Sequence, residues 1–127
     1  MTATRVNVDA VFRWPSFSHA VLADGHIYLS GVMGSLDGDS FQLAEGGTAG
    51  QTRQALHNLD LVLAACEASL EDIMKVTVYL SDLSTFLEMD QAYAELVTTS
   101  PARVTIGCSL SAGAAVELDA IAYRPTS

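Results

Sequence analysis

His19-Ala20-Val21-Leu22-Ala23-Asp24-Gly25-His26-Ile27-Tyr28-Leu29-Ser30-Gly31 decides how this chain folds. Asp24-Gly25 lies between two apolar runs, and a two-residue type I′ turn needs φ > 0 at both positions. The stretch therefore predicts an antiparallel hairpin of His19–Ala23 and His26–Gly31, with Gly31 and Gly34 breaking the second strand. Upstream, residues 1–18 read as a polar, irregular segment interrupted by Pro15. Its rings, Phe12, Trp14 and Phe17, fit either a tail packed on the domain edge or a loop that walls a pocket. Downstream, residues 34–50 are rich in Gly, Ser and Asp and read as a loop, with a short strand near Phe41-Gln42-Leu43.

From Thr48 the period changes. Ala55, Leu56, Leu59, Val62, Leu63 and Cys66 recur at helical spacing and form one apolar stripe. Ile73 to Leu80 then alternates, with Met74, Val76, Val78 and Leu80 on one face and Lys75, Thr77 and Tyr79 on the other. Ser84 is placed to cap a second helix running to Val97, with Phe86, Met89, Tyr93, Leu96 and Val97 as its core stripe. Thr98-Thr99-Ser100-Pro101 ends it, because proline restricts the residue before it. Two strands follow, Ala102–Leu110 and Ala115–Tyr123. The string is β-β-α-β-α-β-β, which packs most simply as one mixed sheet with both helices on one face, an α+β arrangement. The other face is left to find a partner.

The totals agree with one domain spanning residues 1–127. The chain is 127 residues long and 50% hydrophobic, enough to bury a sizeable core and to favour an oligomer. It carries 15 Asp+Glu against 6 Lys+Arg, a net charge of −9. Such a surface repels phosphate backbones and anionic lipid, so no nucleic-acid partner is expected. No apolar run reaches the ~20 residues of a membrane span. Cys66 and Cys108 form no CxxC, which with an N-terminus lacking a signal peptide points to a reduced, cytoplasmic setting.

Two late segments carry the candidate chemistry. Pro101-Ala102-Arg103-Val104-Thr105 opens a strand with an arginine, and Arg103 and Thr105 share a face about 7 Å apart. An arginine fork binds a carboxylate bidentately, although an exposed ion pair would also explain it. Glu117 and Asp119 share a face of the last strand. On a central strand at least one of them must be paired or functional, and a half-buried carboxylate can serve as general acid or base. The three histidines have no metal-ligand spacing, residues 46–50 lack the lysine of a phosphate-binding loop, and no GxGxxG follows a strand. No metal or cofactor is expected.

In order along the chain, six segments resemble the reactive-intermediate deaminase (Rid/YjgF, formerly L-PSP endoribonuclease) family. They are residues 17–21, 27–31, 51–59, 72–83, Pro101-Ala102-Arg103 and Val116-Glu117-Leu118-Asp119-Ala120-Ile121-Ala122. The resemblance implies a chorismate-mutase-like fold, a homotrimer with clefts between subunits, and a reaction without cofactor. That reaction is the hydrolysis of 2-enamine and 2-imine carboxylates, of the 2-aminoacrylate/2-iminopropanoate type, to 2-oxo acids and ammonia. It also implies roles: Arg103 for the substrate carboxylate, Glu117 for orienting or activating water, and Ser30, Gly31, Thr105 and Phe17 around the substrate. Phe17 stands where deaminating members usually have tyrosine, and Asp90 near where many have asparagine. A non-catalytic trimer that binds small carboxylates or acts as a chaperone-like partner is the alternative. A ribonuclease is opposed by the charge.

Overall fold

The computed structural model describes residues 2–125. The opening segment contributes a strand that its polar character hides: β1 (Thr4–Val6) pairs antiparallel with β2 (Ala20–Ala23). Three residues are too short for a readable period, and β1 is held by backbone pairing at a sheet edge. Asp24 and Gly25 take φ of 52° and 82°, the left-handed pair that the type I′ turn demands. They join β2 to β3 (His26–Met33), with Ala23 opposite His26.

The second hairpin strand does not stop at Gly31. It continues to Met33 through a register shift between Leu29 and Val32, a local irregularity that lets the chain keep its partner while changing which side chains face the core. Beyond it, residues 34–44 fold back on themselves. Leu36 N–H donates to Gln42 O at 2.9 Å, Ala44 N–H donates to Gly34 O at 2.9 Å, and Ser35 bridges Leu43.

Helix α1 (Gly47–Ala65) buries Ala55, Leu56, Leu59, Val62 and Leu63 along the expected stripe. Each of the leucines and the valine contributes about 1.5–3 kcal/mol on leaving water. Its start has no side-chain cap of its own; Gly46 and Gly47 are left-handed, and Glu88 from the second helix accepts the Ala49 N–H at 2.8 Å. Strand β4 (Ile73–Leu80) begins after a short 3-10 turn capped by Ser69. Met74 is not in the core: a register shift between Ile73 and Lys75 turns Ile73 inward and leaves Met74 45% exposed.

Helix α2 (Phe86–Leu96) follows another 3-10 turn, Leu83–Thr85. The cap is Asp82, whose carboxylate accepts the Ser84 N–H at 2.9 Å, so Ser84 lies inside the turn rather than capping the helix. Met89, Ala92, Tyr93 and Val97 are buried, whereas Leu96 at the helix end is exposed. Strand β5 (Ala102–Gly107) is shorter than its apolar pattern predicts, and β6 (Val116–Tyr123) completes the sheet.

The strand order is β1-β2-β3-β6-β4-β5. The α2 crossover makes β4 and β5 parallel, and every other pairing is antiparallel. The result is the expected mixed sheet of a chorismate-mutase-like α+β fold, with β1 added. Ile27, Leu29, Val32, Val76, Val78, Leu80, Leu118, Ala120 and Ala122 join the helical stripes in one core. The opposite face carries Tyr28, Thr77, Tyr79, Val104, Ile106, Glu117, Asp119 and Ile121. Tyr28, Val104 and Ile106 are exposed there.

Candidate functional site

A cavity of about 160 Å³ opens beside the β3–β6 pair on the face away from the helices. Gly31, Met33 and Glu117 line it from the sheet, and Ser111 from the short 3-10 turn before β6. Phe12, Trp14 and Phe17 of the N-terminal segment form its roof, joined by Phe41 from the folded-back loop. The aromatic segment is therefore a pocket wall. The Phe12 and Phe41 centroids lie 4.0 Å apart, and Trp14 meets Phe12 at 5.4 Å and 86°, the edge-to-face geometry that aromatic quadrupoles favour.

The roof is tied down by buried polar contacts. His19 is 1% exposed, with Nδ1 accepting the Val8 N–H at 3.0 Å and Nε2 lying 3.2 Å from Phe12 O. That pattern needs a neutral ring protonated at Nε2. Burial holds the His19 pKa below the usual histidine value, partly opposed by the bond to the Phe12 carbonyl. Arg13 Nη1 donates to Phe17 O at 3.0 Å and to Trp14 O at 3.3 Å. Ser30 Oγ donates to Ser18 O at 2.6 Å, so its hydroxyl braces the roof. Asn58, buried in α1, donates to Met33 O at 3.0 Å and Ser35 O at 2.9 Å, anchoring the loop that carries Phe41.

Glu117 is the ionisable side chain that lines this cavity. It is half-buried, and burial followed by the nearby Asp119 charge pushes its pKa above the ordinary glutamate value. Asp119 itself accepts the Tyr79 hydroxyl at 2.9 Å. A Cβ at position 31 would collide with Glu117 Oε2 and come within 3.1 Å of Cδ, so glycine there leaves room for the carboxylate. A carboxyl so placed can take a proton from water and return it, the work of a general acid–base group.

Arg103 and Thr105 lie elsewhere. The register sets Arg103 opposite Val76 and Thr105 opposite Val78, on the face that holds the helices. Arg103 Nη1 pairs with Asp90 at 2.7 Å, and the guanidinium lies 4.8 Å from the Tyr93 ring centroid and 5.6 Å from that of Phe86. Among the described residues the Tyr93 hydroxyl is buried without a hydrogen-bond partner. Phe17, Gly31 and Glu117 thus line one cavity and Ser30 braces its roof, while Arg103 and Thr105 stand on the opposite sheet face with β4 between them. Sequence reasoning missed Phe41 and Ser111 as lining residues of Glu117's cavity. Phe41 carried a signal, an aromatic in a loop otherwise rich in small residues; Ser111 carried none.

A larger cleft, about 600 Å³, opens beside the Asp24-Gly25 turn and includes Cys66, Glu67 and Arg124. It contains none of the expected site residues. Among the described residues no cluster of three or more His, Cys, Asp or Glu could hold a metal ion. No helix among them is long and apolar enough to cross a membrane.

Comparison with known proteins bears on this geometry. A family model described as Endoribonuclease L-PSP matches residues 9–124. A RutC family protein of Pyrococcus horikoshii is 37% identical over 110 residues, covering 85% of this chain and 86% of that one. A 2-iminobutanoate/2-iminopropanoate deaminase of Homo sapiens is 35% identical, covering 85% of this chain and 80% of its own length. Among solved structures, RidA from an Antarctic Psychrobacter superposes with a TM-score of 0.86 at 30% identity, covering 95% of this chain and 99% of that chain.

Proposed function

The chain belongs to the Rid/YjgF family, whose model is described as Endoribonuclease L-PSP, and on that premise we propose that it hydrolyses 2-imine and 2-enamine carboxylates to 2-oxo acids and ammonia. The observation that carries this reading is Glu117, a carboxylate with a raised pKa set in a small cavity roofed by aromatic rings, behind Gly31. The enamine enters as its imine tautomer. Protonated at nitrogen, the imine carbon is already electrophilic and needs no protein nucleophile. Water attacks it as Glu117 takes the water's proton; a C–O bond forms, the C=N π pair moves onto nitrogen, and a neutral carbinolamine results. Glu117 then returns the proton to nitrogen. The C–N bond breaks as the carbinol hydroxyl forms the C=O bond and passes its proton to the departing nitrogen, so ammonium leaves, the 2-oxo acid remains and Glu117 is again a carboxylate.

The substrate carboxylate falls to Arg103, with Thr105 beside it, and Ser30, Gly31 and Phe17 complete the surroundings of Glu117. Arg103 and Glu117 occupy opposite sheet faces of one chain, which favours a site completed by a neighbouring copy. The proposal therefore includes a homotrimer with sites between subunits. The exposed Tyr28, Val104 and Ile106 on the open sheet face are apolar area such an assembly would cover. It takes residues 1–127 as one domain and, with Cys66 and Cys108 both free, a reducing cytoplasmic setting.

Phe17 favours a second reading, a non-catalytic trimer that binds small carboxylates, because it lacks the hydroxyl of the tyrosine common in deaminating members. Ser111 supports catalysis, since it offers a hydroxyl on the same cavity. The test generates 2-aminoacrylate in situ with a serine dehydratase and follows pyruvate formation with and without this protein. Acceleration that disappears in Arg103→Ala and Glu117→Gln is expected. No acceleration by the wild type would refute deamination of that substrate, and a native mass of one chain would refute the trimer.

A further inference from the structure

We propose that the site prefers 2-imino acids whose side chain is bulky and apolar, of benzyl or isobutyl size, over those with a methyl group. The inference rests on the deaminase reading and concerns what occupies the cavity beside Glu117. That cavity holds about 160 Å³. A protein cavity of ~150 Å³ lined by apolar side chains stays dry and accepts benzene. A methyl group would leave most of such a space empty, forfeiting the contacts that its walls offer.

The walls are chosen for an apolar guest. Phe12, Trp14, Phe17 and Phe41 surround the space, and Val11 and Met33 fill between them. The rings are already assembled, with Trp14 and Phe41 centroids 5.7 Å apart at 54° and Phe12 touching both. They are held by backbone contacts to His19 and Arg13 rather than by each other alone. A guest therefore meets a preformed cage and little ordering is required of it. Trp14 remains 56% exposed and Phe17 39% exposed, so the cage has an open lip through which a side chain can enter.

Polar side chains are few in this lining: Ser35, Ser111 and Glu117. Ser35 lines the cavity, but its Oγ lies 3.3 Å from Asn58 Nδ2 and accepts from it. That leaves Ser111 and Glu117 on the side where the imine carbon must sit. A substrate with a charged or amide side chain would have to strip its own hydration against aromatic faces, which is costly without a partner. The cage selects by size and apolarity together.

The test supplies the two imines in equal amounts from D-phenylalanine and D-alanine with a D-amino-acid oxidase and catalase. The planar imine is the same whichever enantiomer is oxidised. Consumption is read against trapping by semicarbazide. Wild type is expected to show at least a tenfold higher kcat/KM for the phenylalanine-derived imine, since each methylene in an apolar pocket discriminates roughly 10–200-fold. Phe41→Ala should shrink that ratio several-fold. Equal rates, or preference for the alanine-derived imine, would overturn the inference while leaving the deaminase reading intact.

If neither imine is consumed the deaminase reading fails, and the cage is then judged by binding alone. Trp14 is the single tryptophan of the chain, so its fluorescence reports occupancy at the lip. Tenfold tighter binding of 3-phenylpropanoate than of propanoate would support the cage, and equal binding would refute it. The same titration of Phe41→Leu, a gentler change, settles the matter if Phe41→Ala does not fold.

Discussion

Replacing Gly31 with alanine should disable turnover while sparing the fold. The new Cβ would collide with Glu117 Oε2, approach Cδ to 3.1 Å and Cγ to 3.4 Å. The nearest atom is the far end of a flexible side chain, so a rotation of the carboxylate by roughly 1 Å restores ordinary contact distances. The backbone need not move, and the stability change should stay within about 1 kcal/mol, a shift of a few degrees in Tm for a domain of this size. For catalysis a 1 Å misplacement is expensive: about a hundredfold in kcat, or ~2.7 kcal/mol of barrier. The assay is steady-state imine hydrolysis, with thermal unfolding on the same preparation. The sharper version places Gly31→Ala in a Glu117→Gln background, where it should cost little more because the group it displaces is already disabled. A kcat within threefold of wild type, at unchanged Tm, would refute the claim that position 31 exists to seat this carboxylate.

Glu117→Gln should lower kcat by roughly 10²–10⁴-fold and still bind a carboxylate ligand. It should also raise Tm at neutral pH: the folded pKa lies above the unfolded one, so ionised Glu117 costs stability as pH rises past the ordinary glutamate value of 4.5, a cost that glutamine lacks. An unchanged Tm difference between pH 4 and pH 7 would contradict this. Asp90→Asn should tighten binding of a small carboxylate by several-fold, because Arg103 would lose the anion at 2.7 Å that now competes for it; weaker binding in a titration would show that Asp90 positions the guanidinium instead. His19 has a folded pKa below the ordinary histidine value of 6.5, so its contribution is complete above that pH and is lost as pH falls through it towards the folded value. Thermal melts between about pH 5 and 7 should slope less in His19→Gln than in wild type, and equal slopes would count against the buried neutral imidazole.

What could be read in advance follows from how local each signal is. The Asp24-Gly25 turn and the α1 stripe are decided by residues a few positions apart, and both formed as expected. Met74 failed because alternation was extended through a register shift that no single strand announces; it depends on how β4 meets β6. β1 failed because three residues paired through their backbone leave no side-chain pattern. The site divided along the same line. Glu117 and Asp119 were rightly read as sharing a face, since parity along one strand is local. Whether Arg103 shares that face depends on the pairing of β5 with β4, a relation between strands that parity within β5 could not supply. Gly31 was legible as a strand interruption, and only the neighbouring strand shows that its missing side chain is space for a carboxylate.

The first turn of α1 is finished by a residue 39 positions away, the Glu88 carboxylate on the Ala49 N–H. A helix that begins with two left-handed glycines and no cap of its own is poorly started in an isolated chain, and nucleation is the costly step of helix growth. Its stable beginning must then wait for α2 to dock, which ties two segments separated in sequence into one cooperative unit. Local opening of α2 would release the Ala49 amide to solvent, so its hydrogen exchange should track that of the Met89–Tyr93 core rather than fray as an ordinary helix end. Gln51, one turn into the same helix, accepts the Ala115 N–H at 2.8 Å just before β6 begins. The strand that carries Glu117 is thereby coupled to the same unit: opening of the first turn of α1 would also free the Ala115 amide at the entry to β6.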